Sequence, residues 1–102
     1  MEIAGFDWDV GNRSECQKHG VSQAAIESVF RGSIAVLPDP LHSKAEERFK
    51  AIGKSDDGRW IFLVFTIRTR RGRRLVRPIS SRFMHKKEVE HFEKEIAALQ
   101  KR

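Results

Sequence analysis

The spacing of apolar residues predicts two helices, and residues that can begin and end a helix indicate a third. In two segments the apolar positions recur every three or four residues, which is the period of one helix face. They are Ala25, Ile26, Val29 and Phe30 in the first segment and Val89, Phe92, Ile96 and Leu99 in the second. A shorter helix over about 10–19 is indicated by Asp9, which can cap a first turn, and by Gly20 as its exit. Ser22 is placed to cap the second helix in the same way.

Between the second and third helices the pattern changes to that of strands. Residues 34–37 form a brief apolar run, and residues 48–52 alternate between apolar and polar side chains. Asp57-Gly58 then predicts a hairpin turn. The next strand, over 59–69, is apolar on both faces, which is typical of a central strand that is covered on both sides.

Arg71-Gly72 is a second turn, and it leads into a last strand over 73–80. Because Pro78 cannot donate a hydrogen bond to a neighbouring strand, this strand should lie at a sheet edge or carry a bulge. The order of elements is therefore two N-terminal helices, an antiparallel meander of three to four strands and a C-terminal amphipathic helix. This order predicts a two-layer α+β fold, and residues 1–102 suffice for a single domain of that kind.

Composition excludes several classes of protein. Hydrophobic residues make up 39% of the chain, with seven Phe and two Trp, which argues against disorder. The longest apolar run, over 60–65, is far shorter than the roughly 18 to 20 residues of a membrane span. The first residues lack the basic and apolar regions of a secretory signal, and the lone Cys16 cannot form an internal disulfide. We therefore expect a cytoplasmic protein that does not contact membranes.

Positive charge is concentrated in the last third of the chain. The net charge is +6, yet residues 1–65 carry eight basic and ten acidic side chains, whereas residues 66–102 carry twelve and four. Between Arg68 and Lys87 there are nine basic residues and no acidic one. Such a field favours an anionic partner, either a phosphodiester backbone or an acidic protein segment. A solvated basic hairpin without a ligand is the third interpretation.

The residue types predict neither a metal site nor a cofactor site. The four histidines lack the spacings of metal ligands, and the glycine-rich loops of nucleotide-binding proteins are missing. One group of polar and charged residues remains as a candidate site. Lys18 and His19 would belong to it as well if the first helix packs on the sheet. Its members are His42, Glu46, Glu47, Arg48, Arg77 and Arg82.

This group contains the residue types that metal-free cleavage of RNA requires. The 2′-OH of RNA is already a nucleophile. An enzyme must therefore remove its proton, neutralise charge on the phosphoryl oxygens and protonate the leaving 5′ oxygen. A His or Glu side chain can accept the proton, while a guanidinium group can bind two phosphoryl oxygens at once, in bidentate fashion.

Several short motifs occur in an order that matches a known family. They are Phe6-Asp-Trp8-Asp9, Lys18-His19-Gly20-Val21-Ser22, Val29-Phe30, Asp39-x-x-His42-Ser43-x-x-Glu46-Glu47-Arg48, Ile52-Gly53, Gly58-Arg59 and Arg77-x-Ile79-Ser80-x-Arg82. From about residue 6 to residue 93, the chain resembles the BrnT toxin family (DUF497). The resemblance implies a RelE-like α+β fold, ribonuclease activity and inhibition by a BrnA antitoxin. Because that antitoxin carries a ribbon-helix-helix DNA-binding part, operator DNA would be bound only through it.

The leading hypothesis is therefore a metal-independent endoribonuclease toxin. We assign His42 or Glu47 as proton acceptor, Arg48 and Arg82 to the phosphate, and Arg77 to substrate placement or support. Lys18 with His19 would bind the RNA backbone or protonate the leaving group. A basic hairpin would follow the RNA or receive an acidic segment of the antitoxin, and its arginines are Arg68, Arg70, Arg71, Arg73 and Arg74.

Two other hypotheses remain open. In the first, the chain is a catalytically weak or inactive binding subunit of a DNA-bound toxin–antitoxin complex, and the same arginines hold an acidic partner. Phe92, at a position where the family often has Tyr, and Pro78, within the Arg-x-Ile-Ser motif, agree with it. In the second, the chain is a small basic domain with another function. The nuclease hypothesis requires the basic segment and the His/Glu/Arg group to meet on one concave surface.

Overall fold

The computed structural model describes residues 2–42 and 45–100, with only the backbone for His42 and Gln100. This part of the chain contains three helices and five strands. The helices are α1 (Val10–Gln17), α2 (Gln23–Val29) and α3 (Lys86–Gln100). The strands are β1 (Gly5–Phe6), β2 (Ile34–Pro38), β3 (Arg48–Lys54), β4 (Trp60–Arg70) and β5 (Arg73–Phe83), and a 3-10 turn covers Pro40–His42. The predicted α+β fold is confirmed.

The strands form one sheet in the order β1-β5-β4-β3-β2. Strands β2 to β5 are the predicted antiparallel meander. The meander has four strands, within the predicted three to four, and β1 adds to β5 in parallel as a fifth strand of the sheet that was not predicted. With two residues, β1 is too short to show the alternation by which strands are predicted. The last strand also continues past residue 80, to Phe83, and α1 ends at Gln17 rather than at residue 19.

Side-chain caps begin the first two helices, as predicted. Asp9 Oδ1 accepts a hydrogen bond from the Asn12 backbone N–H at 3.0 Å, and Asn12 Oδ1 accepts one from the Asp9 N–H at 2.7 Å. Ser22 Oγ accepts from the Ala25 N–H at 3.1 Å. These bonds satisfy N–H groups that have no partner within a first helical turn.

The hydrophobic core lies between α1, α2 and one face of the sheet, which we call the helix face. Ile61, Leu63 and Phe65 of β4 are fully buried there. Gly53 of β3 permits a close approach of α2, since a Cβ at this position would lie 2.8 Å from Val29 Cγ1. A side chain at residue 53 would therefore push α2 away from the sheet.

A bulge in β5 confirms the expectation drawn from Pro78. The pairing of β4 with β5 shifts between Val64 and Phe65, so that Ile79 is an extra residue between Pro78 and Ser80. A proline is tolerated at such a point because the ladder of hydrogen bonds is already interrupted there.

The bulge decides which side chains share a face of the sheet. In a regular strand Arg77 and Arg82, five positions apart, would point to opposite faces. Because Ile79 is extra, Arg77 lies opposite Thr66 of β4 and Arg82 lies opposite Phe62. Those two partners are four residues apart, so both arginines belong to the same face.

Candidate functional site

The candidate site lies on the face of the sheet opposite the core, here called the open face. The open face carries Arg48 and Lys50 of β3, Phe62 and Val64 of β4, and Arg77 and Arg82 of β5. Helix α3 crosses one end of it, where Phe92 packs edge-on against Trp60 with ring centroids 5.4 Å apart.

A concavity of about 340 Å³ lies on the open face beside Arg48 and Lys50. Its floor is apolar and is formed by Phe62, Val64 and Ile79. The other lining residues are polar or charged: Arg48, Lys50, Ser80 and the buried Asp39. Asp39 Oδ1 lies 3.9 Å from Lys50 Nζ, so a carboxylate moderates the charge on one side of the rim.

Arg82 stands next to this concavity and is held in place on two sides. Its Cζ lies 4.9 Å from the centroid of the Phe62 ring. Its two terminal nitrogens form a bidentate pair of hydrogen bonds to Glu88, one to Oε1 at 2.8 Å and one to Oε2 at 2.9 Å. Donation to the Glu88 carboxylate raises the pKa of Arg82. The hydrogen bond from Arg82, followed by the one from the His85 backbone N–H, lowers the pKa of Glu88 to about 2.

Glu88 therefore joins the site to α3. Besides binding Arg82, its Oε1 accepts from the His85 backbone N–H at 2.9 Å, which caps the start of the helix. The segment from Arg68 to Lys87 contains no acidic residue, yet Arg82 has a neutralising partner close by in the sequence. The partner lies six residues further along, in the third helical position, where a carboxylate satisfies a free N–H.

We expect the Glu88→Gln variant to lose stability at pH 7 and to lose part of the pH dependence of unfolding. The pKa of Glu88 falls from an ordinary value of 4.5 to about 2 on folding. Its contribution is therefore complete above about pH 4.5 and disappears as the pH falls towards 2. Urea denaturation from pH 7 to pH 2 checks this, with Glu90→Gln, an exposed residue of the same helix, as control. Equal pH profiles for wild type and Glu88→Gln would contradict it.

Arg77 is paired with acidic residues from the other end of the chain. One of its terminal nitrogens donates to Asp9 Oδ2 at 2.8 Å, and the other lies 3.7 Å from Asp7 Oδ2. The Asn12 backbone N–H, followed by Arg77, lowers the pKa of Asp9. Only 18% of the Arg77 side chain is exposed, so it suits a supporting role better than direct contact with a large substrate. Both carboxylate partners of Arg77 are distant in the sequence, so the absence of acidic residues between Arg68 and Lys87 does not leave this arginine unpaired.

The basic hairpin between β4 and β5 is partly neutralised at its base and cationic at its tip. Arg68 Nε lies 3.3 Å from Glu46 Oε2, and Arg70 donates to Asp7 at 3.3 Å. The turn has positive φ at both central residues, Arg71 (53°) and Gly72 (74°), as in a type I′ hairpin. The arginines at the tip, Arg71, Arg73 and Arg74, are exposed.

The remaining predicted residues do not all join this group. Lys18 and His19 follow α1 on the side of the helix face, where both are exposed and Lys18 pairs with Glu15 at 3.2 Å. Glu47 is exposed at the start of β3, and its carbonyl oxygen accepts from Thr66 Oγ1 at 2.6 Å. The side chain of His42 lies outside the described residues. The structure thus brings Arg48, Arg77 and Arg82 to one face and leaves Lys18 and His19 at the helices.

Several residues of the site were not predicted. Lys50 was missed although it alternates with Arg48 in a strand and so must share its face. The floor residues Val64 and Ile79 were missed because their position depends on strand pairing and on the bulge. Asp7, a partner of Arg70 and Arg77, gives no local signal of that role.

Three other findings limit the chemistry of the described residues. Cys16 is buried, and burial raises the pKa of its thiol to about 11, so it is a core side chain rather than a reactive thiol. No group of three or more His, Cys, Asp and Glu side chains suited to a metal ion occurs in 2–42 and 45–100. None of the described helices has the length and apolar character needed to cross a bilayer.

The fold and the open face define a small basic α+β domain with cationic side chains around one apolar concavity. Over residues 8–88 the chain matches the profile of a family described as the ribonuclease toxin BrnT of type II toxin–antitoxin systems. The chain belongs to this family, which confirms the resemblance drawn from its motifs. A toxin of a type II system has an antitoxin as its partner. No curated protein matches the chain.

Proposed function

We propose that the chain is a metal-independent endoribonuclease toxin that acts in the cytoplasm and is neutralised by a BrnA-like antitoxin. The observation that carries the proposal is the grouping of Arg48, Lys50 and Arg82, from two different strands, around one concavity of the open face. Guanidinium and ammonium groups in this arrangement suit the phosphoryl oxygens of RNA. Membership of a ribonuclease toxin family supports the same conclusion.

The proposed reaction is attack of the RNA 2′-OH on the adjacent phosphorus. His42 or Glu47 takes the 2′-OH proton, the new 2′-O–P bond forms and the P–O5′ bond breaks. Arg48 and Arg82 stabilise the negative charge that grows on the phosphoryl oxygens. A proton delivered to the leaving 5′ oxygen completes the step. Lys18 and His19, which lie on the side of the helix face, would bind the RNA backbone rather than supply this proton. The products are a 2′,3′-cyclic phosphate and a free 5′-OH.

The other cations would act at a distance from the reacting phosphate. Arg77 is a positioning residue, because its ion pairs with Asp7 and Asp9 fix β5 next to the start of α1. The exposed hairpin tip would follow the RNA backbone or receive an acidic segment of the antitoxin. Operator DNA would be bound only through the antitoxin.

We expect the purified chain to cleave RNA at an undiminished rate in excess EDTA. Because the 2′-OH is the nucleophile, an oligonucleotide with one 2′-deoxy residue should resist cleavage at that residue alone. Gel analysis of end-labelled RNA checks both results, and the 5′ fragment should end in a cyclic phosphate. Loss of cleavage on chelation, or cleavage at the 2′-deoxy position, would overturn the proposed mechanism.

One observation favours the binding-subunit hypothesis instead. Arg77 and Arg82 both have carboxylate partners in the free chain, as residues that hold a structure together do. Under that hypothesis, His42→Ala and Glu47→Ala retain whatever growth arrest or repression the wild type causes in a bacterial host. Under the ribonuclease hypothesis, at least one of the two variants no longer causes growth arrest.

A further inference from the structure

We propose that the concavity of the open face is a subsite for one unpaired base of the RNA, with Ile79 and Val64 as its floor. This inference rests on the proposed ribonuclease function and adds the form of RNA that the site accepts. The occupant is the base itself, and the flanking phosphates lie on the cationic rim.

The first argument is the polarity of the floor. Phe62, Val64 and Ile79 offer no hydrogen-bond donor to a phosphate, so a phosphate placed there would lose its hydration without compensation. A nucleobase has an apolar face, and contact with apolar or aromatic side chains stabilises it regardless of its identity. The floor therefore fits a base and not the backbone.

The second argument is the charge around that floor. Arg48 and Lys50 line the concavity, and Arg82 stands beside it against Phe62. A base on the floor places its two neighbouring phosphates within reach of this rim, since successive phosphates flank each base. An apolar segment of a protein would meet a rim of charged side chains there, including the Asp39 carboxylate, which is a poor match for it.

The third argument comes from the bulge. Because Ile79 is extra, it lines the concavity together with its neighbour Ser80, although consecutive residues of a regular strand point to opposite faces. The Ser80 hydroxyl can donate to or accept from the edge of a base whose face rests on Ile79. The bulge thus places an apolar contact and a hydrogen-bonding group side by side.

A base can enter this concavity only from single-stranded RNA. In a duplex each base face is stacked on its neighbours, and the side chains of a shallow sheet face cannot reach it. The concavity volume of about 340 Å³ lies at the lower end of the range of small-molecule sites, roughly 300 to 1,000 Å³, which suits a single base. Duplex RNA would bind only through its phosphates.

Fluorescence anisotropy tests the proposal with a 2′-O-methyl oligonucleotide of about eight residues, single-stranded or in a blunt duplex. This probe lacks the nucleophile, so cleavage does not interfere. We expect the single strand to bind about 10-fold more tightly than the duplex, and Ile79→Ala to weaken only the single strand, by about fivefold or more. Ile52→Ala is the matched control, because Ile52 is a half-buried isoleucine on the same face that lines the groove under α3.

Val64→Ala is a second variant in case Ile79→Ala does not fold. Equal affinity for single strand and duplex, or an unchanged affinity of both folded variants, overturns the proposal. An apolar peptide that competes with the single strand at the same site would also overturn it. If the wild type binds as expected but cleaves no RNA, the proposed function fails and the base subsite stands. If it cleaves RNA but neither variant alters binding, only the subsite fails.

Discussion

Arg82→Ala is expected to lower the single-turnover rate of RNA cleavage by about 100-fold or more. The guanidinium uses its two terminal nitrogens to bind Glu88, which fixes its direction, and its remaining N–H groups are left for phosphoryl oxygens. A donor whose orientation is fixed before the reaction stabilises charge in the transition state without reorganisation. The measurement is the cleavage rate of an end-labelled oligonucleotide at saturating protein.

Three further variants separate charge, geometry and folding. Arg59→Ala is the matched control, because Arg59 also covers an aromatic ring, with its Cζ 3.5 Å from the Phe83 centroid. Phe83 lies opposite Ile61, on the helix face, whereas Arg82 covers Phe62 of the concavity. Arg82→Lys keeps the charge without the paired geometry and should retain only part of the rate. The double variant Arg82→Ala with Glu88→Gln leaves no unpaired carboxylate and should be as slow as Arg82→Ala. If Arg82→Ala cleaves RNA at the wild-type rate while folded, Arg82 has no catalytic role.

The features that the sequence predicts correctly are local ones. Asp9 and Ser22 cap helices because each lies three residues before the N–H group that it accepts from. The Arg71-Gly72 turn and the bulge at Pro78 follow from backbone preferences of those residues alone. Such signals involve only residues close together in the chain, so they do not depend on the way the sheet is assembled.

The composition of the open face depends on contacts across the chain. Arg77 and Asp9 are 68 positions apart, and their pairing requires β5 to lie next to the start of α1. Whether Arg77 and Arg82 share a face depends on one extra residue, Ile79, whose effect on the register shows only when β4 and β5 are paired. Counting only the acidic residues that are near in the sequence therefore overestimates the unpaired positive charge of the folded protein, because it omits partners such as Asp9.

The pairing of the cations also suggests how the site is built. Arg68, Arg70, Arg77 and Arg82 each have a carboxylate partner among the described residues, whereas the hairpin tip is cationic. Partnered arginines keep one geometry, and exposed ones adapt to different segments of a long anionic ligand. This division agrees with a rigid site beside the concavity and an adaptable RNA-binding tip.

Asn12→Ala is expected to lower the free energy of unfolding by about 3 kcal/mol, because it leaves several buried polar groups unpaired. Asn12 is buried in α1 and its side chain makes three hydrogen bonds. Its Nδ2 donates to the carbonyl oxygens of Asp7 at 3.0 Å and Pro78 at 2.8 Å, while its Oδ1 accepts from the Asp9 N–H. Urea denaturation gives the free energy, with Ser14→Ala, an exposed change in the same helix, as a control expected to cost less than about 0.5 kcal/mol.

The same substitution should also alter the shape of the concavity, because the Pro78 carbonyl belongs to the bulge that places Ile79 and Ser80 there. Without the amide of Asn12, that carbonyl has lost its partner in α1, and the bulge is no longer tied to the helix. Folded Asn12→Ala protein should therefore bind the single-stranded probe less tightly than Ser14→Ala protein, with an unchanged affinity for the duplex. A variant as stable as the wild type would show that the amide does not hold the bulge. A destabilised variant with wild-type binding would show that the bulge keeps its shape without α1.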